Sequence, residues 1–185
     1  MTPDTKTAFG QFRPSKLFST LILIAQKSPQ NWFGQQFAQI VRKLVLWRVH
    51  LPLDIGVGSI QMRCYLRDNN SEKKFVFMPW RFDKKERLWL VKNLPKDGVF
   101  VDIGANIGIY SLTAAMHLSA LGRIIAIEPN PPAYARLCFN LEATKKTQPD
   151  WPVICALPIG VGDREGEFDL CLDPNNLGGS SIARF

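Results

Sequence analysis

One stretch near the middle of the chain constrains its fold more than any other: residues 99–112 read VFVDIGANIGIYSL. Val99 to Ile103 is apolar apart from Asp102 and rich in β-branched residues, which predicts a strand buried on both faces, as in a parallel sheet. Helical spacing follows from Ile107 to Leu118, and Gly122 is a stop signal. Strand, glycine turn and helix in this order predict the beginning of a βαβ unit.

The next stretch, GRIIAIEPNP, predicts a second buried strand, from Ile124 to Ile127, that ends at Glu128. The carboxyl ends of adjacent parallel strands face a common crevice, where an acid can accept hydrogen bonds from two ribose hydroxyls. Glu128 is therefore predicted to bind a nucleoside. The repeated strand and helix pattern places the chain in the α/β class.

The spacing of the glycines separates two classes of nucleoside cofactor. A dinucleotide-binding turn needs G-x-G-x-x-G, so that backbone amides can approach a pyrophosphate. Asn106 and Ile109 stand at the second and third glycine positions. What remains, D-x-G-x-x-x-G, is a wider turn that suits a ligand with an ammonium group and no phosphate. A purely structural alternative is that Asp102 and Asn106 cap the helix and Gly104 serves the turn.

Four stretches together resemble the FkbM family of S-adenosylmethionine-dependent class I methyltransferases: VFVDIGANIGIYSL, IIAIEPNPPAYARLCFNLEA, IGVGDREGEFDLCLD and NLGGSSI. The family carries D-x-G-A-N-x-G in its first motif, E-P-N after the second strand and G-D-x-x-G after the third. The resemblance covers about residues 96–185. It implies a Rossmann-like parallel sheet, S-adenosyl-L-methionine as cofactor, and O-methylation of a sugar, a glycan or glycolipid, or a secondary-metabolite hydroxyl.

The resemblance also implies roles for individual residues. Five residues at the end of the first strand and in the turn after it would line the methionine part of the cofactor: Asp102, Gly104, Ala105, Asn106 and Gly108. Five others would surround the nucleoside: Glu128 at the ribose, Pro129 and Asn130 beside the adenosine, and Val161 and Gly162 near the adenine. No metal ligand and no catalytic base is predicted.

The chain departs from the family pattern because no D-V-E-G-type motif follows. A class I methyltransferase sheet typically has seven strands, but after residue 98 the pattern predicts three βα-type strands and one extra strand, EFDLCL. The fold is therefore expected to be incomplete at its C-terminus, as in a fragment or truncated product, with an unpaired edge on Val99–Ile103. A cofactor-binding or interaction module without turnover is thus the alternative function, and an NAD-dependent oxidoreductase is disfavoured by Asn106 and Ile109.

Residues 1–95 are predicted to form a small α+β subdomain, and residues 96–185 the cofactor-binding domain. Apolar residues at helical spacing predict an amphipathic helix over Asn31–His50, with its apolar face packed on the protein's own core or on a membrane. The runs SIQMRCYL and KFVFMPW, separated by RDNNSEKK, predict a β-hairpin. Asp83 to Leu94 is predicted to be a helix.

The net charge of +7 is uneven: residues 1–98 hold 17 Lys and Arg against 7 Asp and Glu, and residues 99–185 hold 6 against 9. The basic half indicates a solvated surface, an anionic membrane surface or an acidic substrate. No nucleic-acid module is recognised, so no such partner is expected. Four cysteines without metal spacing, and no signal peptide or spanning segment, predict a cytoplasmic protein with buried thiols.

Overall fold

The computed structural model describes residues 2–167, 169–173 and 176–182. Its elements in chain order are α1 (Lys16–Gln26), α2 (Trp32–Arg48), β1 (Leu53–Val57), β2 (Ile60–Cys64), α3 (Asn70–Phe77), α4 (Lys84–Asn93), β3 (Val99–Ile103), α5 (Ile109–Ala115), β4 (Arg123–Ile127), α6 (Pro131–Lys145), β5 (Val153–Leu157), β6 (Leu170–Cys171), a 3₁₀ turn (Leu177–Gly179) and β7 (Ser181–Ile182).

A three-stranded parallel sheet carries the second half of the chain, in the order β3, β4, β5. Asp102 lies opposite Ala126, and Ile103 lies opposite Ile127. Helix α5 connects β3 to β4 and helix α6 connects β4 to β5, because parallel strands need crossover connections. The predicted α/β class with a parallel sheet is confirmed, and β3 has the predicted bounds.

One face of this sheet is covered, and the part of the chain that the structure describes leaves the other open. Phe100, Ile124 and Ala126 point toward α5 and α6, which pack on this face of the sheet and complete the core. The alternate residues are exposed, including Val99, Val101 and Ile103 on β3 and Val153 and Cys155 on β5. The prediction that β3 is buried on both faces was therefore wrong: in the described residues it pairs with β4 alone and lacks a layer on its second face. Its outer edge is unpaired there, as the short strand count predicts.

A groove of about 720 Å³ runs along the uncovered part of β3. Its walls are Phe100 to Ile103 of β3, Gly104 after the strand, and the side of helix α4 that carries Trp89. Helix α4 was predicted close to its observed bounds, whereas α5 ends three residues earlier than the periodicity predicts. The extra strand EFDLCL is reduced to Leu170–Cys171, which pairs with Ser181–Ile182; its Phe168 lies outside the described residues.

The β-hairpin lies earlier in the chain than predicted. Strands β1 and β2 pair in antiparallel fashion around a turn at Gly58, and the run KFVFMPW belongs largely to helix α3. Asn69 explains the difference, because its side-chain oxygen accepts a hydrogen bond from the Glu72 amide at 3.1 Å and so caps the helix. The polar cluster that predicts a turn is a helix N-terminus.

Arg63 of β2 fixes the N-terminal segment onto the hairpin. Its guanidinium is buried and donates to the Asp54 carboxylate at 2.8 and 2.9 Å. It also donates to backbone carbonyls of the segment, those of Asp4, Thr7 and Ala8. Asp54 in turn accepts the amide of Gly10 at 2.6 Å. Residues 4–12 form no helix or strand, and the buried Arg63–Asp54 ion pair holds them on the hairpin.

A single cluster of buried apolar residues extends from Ile22 to Leu141 and includes both halves of the chain. Helix α6 packs on β2, where Asn140 accepts the Arg63 amide at 2.9 Å and Thr144 accepts the Gln61 amide at 3.0 Å. The division at residues 95 and 96 stays a prediction. Among the described residues no helix is both long and apolar enough to cross a membrane.

The predicted amphipathic helix is present as α2, but only part of its predicted apolar face is buried. Ala38, Val41 and Val45 pack into the core, together with Gly34. The periodic set behind the prediction is Phe33, Phe37, Ile40, Val41 and Leu44. Val41 is buried and Phe37 is half-buried, whereas the other three are exposed. The apolar residues of α2 thus form two faces, and the core covers one.

The cysteines also lie differently from the prediction. All four are free thiols, but Cys64 is buried while Cys155 and Cys171 are exposed. The exposure of Cys155 follows from its place on the uncovered face of the sheet.

Candidate functional site

The chain reverses between β3 and α5 in a turn, residues 104–108, which we call the glycine turn. Gly104, Asn106 and Gly108 have positive φ angles of 76°, 52° and 91°. The amides of Gly104 and Ala105 both donate to the carbonyl of Ile127, each at 2.9 Å. These bonds place the turn against the carboxyl end of β4, as the parallel pairing requires.

The two glycines have different surroundings. A Cβ atom at Gly108 would lie 2.6 Å from Cδ1 of Leu137, which is fully buried on α6. A Cβ atom at Gly104 would have no heavy atom within 4 Å. Gly108 therefore permits helix packing, while Gly104 leaves open space at the end of β3.

Glu128 connects the glycine turn to the E-P-N turn after β4. Its Oε2 accepts the Asn106 amide at 2.6 Å, and its Oε1 accepts the Asn130 amide at 2.9 Å. The residue is 7% exposed. Each carboxylate oxygen can accept two hydrogen bonds, so each has one remaining position for a ligand hydroxyl.

Asp102 lies at the end of β3 with its carboxylate mostly buried. Its Oδ2 accepts a hydrogen bond from the Ser111 hydroxyl at 2.6 Å. Burial raises the pKa of Asp102 above its ordinary value, and the Ser111 hydrogen bonds oppose that rise. A cationic ligand group beside this carboxylate would favour its ionised form.

Two asparagines of the site have partners that the sequence patterns do not reveal. The side-chain oxygen of Asn106 accepts a hydrogen bond from the side-chain amide of Asn69 at 2.9 Å. Asn130 donates to the Ser180 hydroxyl at 2.9 Å and to the Leu177 carbonyl at 3.3 Å. Its own side-chain oxygen is buried, and no donor to it is found in the described part of the chain.

The segment 176–180, whose middle is the 3₁₀ turn, therefore packs on the site. A buried ion pair supports it: Arg136 of α6 donates to both oxygens of Asp68 at 2.8 and 2.6 Å. The Asp68 carbonyl then accepts the Leu177 amide at 2.8 Å. Asp68 belongs to the polar cluster that was predicted as a hairpin turn, so its contribution to the site was missed.

Most of the predicted site residues lie together at the carboxyl ends of β3 and β4: Asp102, Gly104, Ala105, Asn106, Gly108, Glu128, Pro129 and Asn130. Val161 and Gly162 are exposed and lie beyond β5, which ends at Leu157. The roles of all ten residues in cofactor binding stay predictions. His117 lies beyond α5, where its Nε2 is 2.8 Å from the Leu94 carbonyl.

Glu72 of helix α3, next to Asn69 at the site, makes the stability of the protein depend on pH in a testable way. Its carboxylate is fully buried and accepts the amides of Tyr65 and Leu66. Burial raises the pKa of Glu72 from 4.5 to about 7. Between these two pKa values the native state keeps a proton on Glu72 that the unfolded chain has lost. The free energy of unfolding therefore falls as the pH rises from about 4.5 to about 7.

Since one pKa unit corresponds to about 1.4 kcal/mol, the effect is on the order of 3 kcal/mol. Glu72→Gln is expected to gain that much stability relative to the wild-type chain as the pH rises through this window. Urea unfolding followed from about pH 5 to about pH 8 measures the difference. The exposed Glu142→Gln is the control and should show no such trend; equal trends for both variants would contradict the role of burial.

The fold and the site define an α/β protein with a glycine turn and a carboxylate at the ends of adjacent parallel strands. The chain belongs to the family described as the Vibrio cholerae RfbT protein, which matches residues 53–169. The matched span includes the whole parallel sheet, the glycine turn and Glu128.

Two further comparisons add individual proteins. The AMB antimetabolite synthetase AmbE of Pseudomonas aeruginosa is 35% identical over 92 residues, which are 50% of this chain and 4% of AmbE. The chain thus spans a small fraction of that relative's length. A solved structure of the provisionally assigned transferase PH0793 from Pyrococcus horikoshii has 18% identity and a TM-score of 0.36, over 76% of this chain and 63% of that one.

Proposed function

We propose that the chain is an FkbM-type, S-adenosylmethionine-dependent class I methyltransferase that acts on a hydroxyl of a sugar, a glycan or glycolipid, or a secondary metabolite. The observation that carries the proposal is the position of Glu128. Its carboxylate lies between the glycine turn and the E-P-N turn, and it keeps acceptor positions for a ribose. The two backbone hydrogen bonds hold the turns together, and the remaining acceptor positions are the part of this carboxylate that a purely structural role leaves unused.

The residues present fit this cofactor. Gly104 borders open space, where the amino-acid tail can approach the backbone, and Asp102 supplies a carboxylate for its ammonium group. The buried Asn130 side-chain oxygen needs a donor, and the adenosine carries an amino group. Glu128 would take the ribose hydroxyls.

The cofactor supplies a methyl group on a positively charged sulfur. The protein's part is to hold the acceptor in line with that methyl group and to exclude water, since orientation provides much of the rate enhancement in a displacement of this kind. Asp102, held by Ser111, keeps the ammonium end in place. We assign no general base among the described residues.

A second candidate function is cofactor binding or partner binding without turnover. The uncovered face of the parallel sheet favours it, because α/β sheets of this kind normally have both faces covered. An NAD-dependent oxidoreductase is disfavoured, because Asn106 and Ile109 replace two of the glycines that a pyrophosphate requires.

Calorimetric titration with S-adenosylhomocysteine, with NAD in parallel, tests the proposal. We expect S-adenosylhomocysteine to bind and NAD not to bind. Binding of NAD alone, or of neither compound to a folded chain, would overturn the cofactor assignment. Where S-adenosylhomocysteine binds, a methyl-transfer screen that begins with sugars separates the enzyme from the binding module.

Glu128→Gln is expected to weaken binding of S-adenosylhomocysteine at least tenfold. Hydrogen bonds to a charged acceptor contribute about 1.5–3 kcal/mol, and about 1.4 kcal/mol is a factor of ten in affinity. For the 2′,3′-dideoxy analogue, which has no ribose hydroxyls, the variant and the wild-type chain should have the same affinity. Glu142→Gln is again the matched control, and equal losses for the two ligands would show that Glu128 acts through the turn alone.

A further inference from the structure

Helix α2 presents an apolar stripe to solvent. Phe33, Ile40, Leu44 and Trp47 recur at helical spacing and therefore lie on one face. Phe33 is 73% exposed and Trp47 is 72% exposed. The core takes a different face of the helix, that of Ala38, Val41 and Val45, so in the described residues the stripe stays largely exposed to solvent.

The neighbouring helix α1 also has exposed large apolar residues. Leu17, Leu23 and Ile24 are exposed, while Ile22 and Ala25 are buried. Single exposed apolar residues are ordinary on protein surfaces, but a contiguous stripe marks an interaction site. With Trp32 at the start of α2, the helical hairpin α1–α2 carries eight exposed large apolar residues among those the structure describes.

The charge of this region is of one sign. Residues 5–53 contain seven Lys and Arg and no Asp or Glu. Lys43 and Arg48 lie on opposite sides of the α2 stripe, as follows from 3.6 residues per turn. The Arg48 guanidinium lies 4.2 Å from the centre of the Trp47 ring, and the ion pairs found in the described chain involve neither cation.

We propose that the α2 stripe, with α1 beside it, is a docking face for an anionic lipid bilayer. Apolar residues on one face, cations along its sides and tryptophans near both ends of α2 are the features of a helix that lies in the membrane interface. Helix α2 has 17 residues, fewer than the roughly 20 needed to span a bilayer. It therefore lies on the membrane and does not cross it.

Charge selects the lipid surface over a second copy of the chain. Two copies joined through this face would bring like charges together, with no acidic residue from 5 to 53 to balance them. Anionic headgroups provide that balance, and each juxtamembrane cation contributes to the attraction. The inference does not rest on the proposed methyltransferase function.

Sedimentation with vesicles tests the proposal. We expect the chain to bind vesicles of phosphatidylcholine mixed with phosphatidylglycerol, to bind phosphatidylcholine alone much more weakly, and to dissociate as salt rises. Ile40→Ser/Trp47→Ser and Lys43→Glu/Arg48→Glu should each reduce binding about tenfold or more. The matched controls, Leu121→Ser and Lys145→Glu/Lys146→Glu, change exposed residues elsewhere and should bind like the wild-type chain.

A measurement on the unaltered chain covers the case in which a variant does not fold. Brominated lipids should quench the tryptophan emission of the wild-type chain, and Trp47→Phe should show less quenching. Failure to bind anionic vesicles at low salt, or equal losses in the control variants, would overturn the proposal. So would a dimer in sedimentation velocity that Ile40→Ser/Trp47→Ser dissociates, because the face would then join two copies.

Discussion

Gly108→Ala is expected to lower the free energy of unfolding by about 3 kcal/mol. Two costs add: a side chain at a φ of 91° is strained by about 1–2 kcal/mol, and the new Cβ atom would meet Leu137 at 2.6 Å. Leu137 is fully buried, and overpacking of a dense core costs about 1–3 kcal/mol. Urea unfolding followed by circular dichroism measures the loss.

Gly104→Ala is the matched control because it changes the same residue type in the same turn. Its φ is also positive, at 76°, but no heavy atom lies within 4 Å of the new Cβ. Backbone strain alone remains, about 1–2 kcal/mol. If the two variants lost equal stability, contact between the turn and α6 would not be the reason that Gly108 is glycine.

Asp54→Ala is expected to cost about 3–5 kcal/mol, because removal of one partner leaves the charge of the other buried. Arg63 would keep its backbone acceptors and a more exposed carboxylate, that of Asp4 at 3.9 Å. Residues 4–12 would also lose the Asp54 carboxylate that accepts the Gly10 amide. Faster tryptic cleavage after Lys6, together with urea unfolding, provides the measurement.

A double-mutant cycle with Arg63→Met completes this test. The double variant should lose less stability than the sum of the two single variants, because it leaves no unpaired charge. A loss below about 1 kcal/mol for Asp54→Ala would resemble that of an exposed pair. It would contradict the view that this ion pair secures the N-terminal segment.

Local chemistry made the centre of the site predictable from the sequence. The glycine turn follows an apolar β-branched strand, and Glu128 directly ends the next one, so the parallel pairing places them together. The bounds of β3 agree with the pattern for the same reason. Gly108 also needs to be glycine for a distant contact, with Leu137, which the local pattern does not contain.

The rest of the site depends on partners that are distant in sequence. The contact of Asn69 with Asn106 and the ion pair of Asp68 with Arg136 join separate elements, and no periodicity connects them. The misplaced hairpin has the same origin, since a polar cluster with asparagines serves a turn or a helix cap equally well. The face of α2 was ambiguous because apolar residues occur on two of its faces.

Asn69 performs two tasks with one side chain: its oxygen caps α3 and its amide group holds Asn106 of the glycine turn. We expect a ligand that reorients Asn106 to change the energy of the cap through this shared side chain; by thermodynamic reciprocity, the state of the cap then changes ligand affinity by the same factor. The backbone amide of Glu72, which donates to the Asn69 oxygen in that cap, is therefore sensitive to a ligand in the glycine turn. Its rate of hydrogen exchange should register occupancy of the glycine turn, although the amide itself belongs to α3.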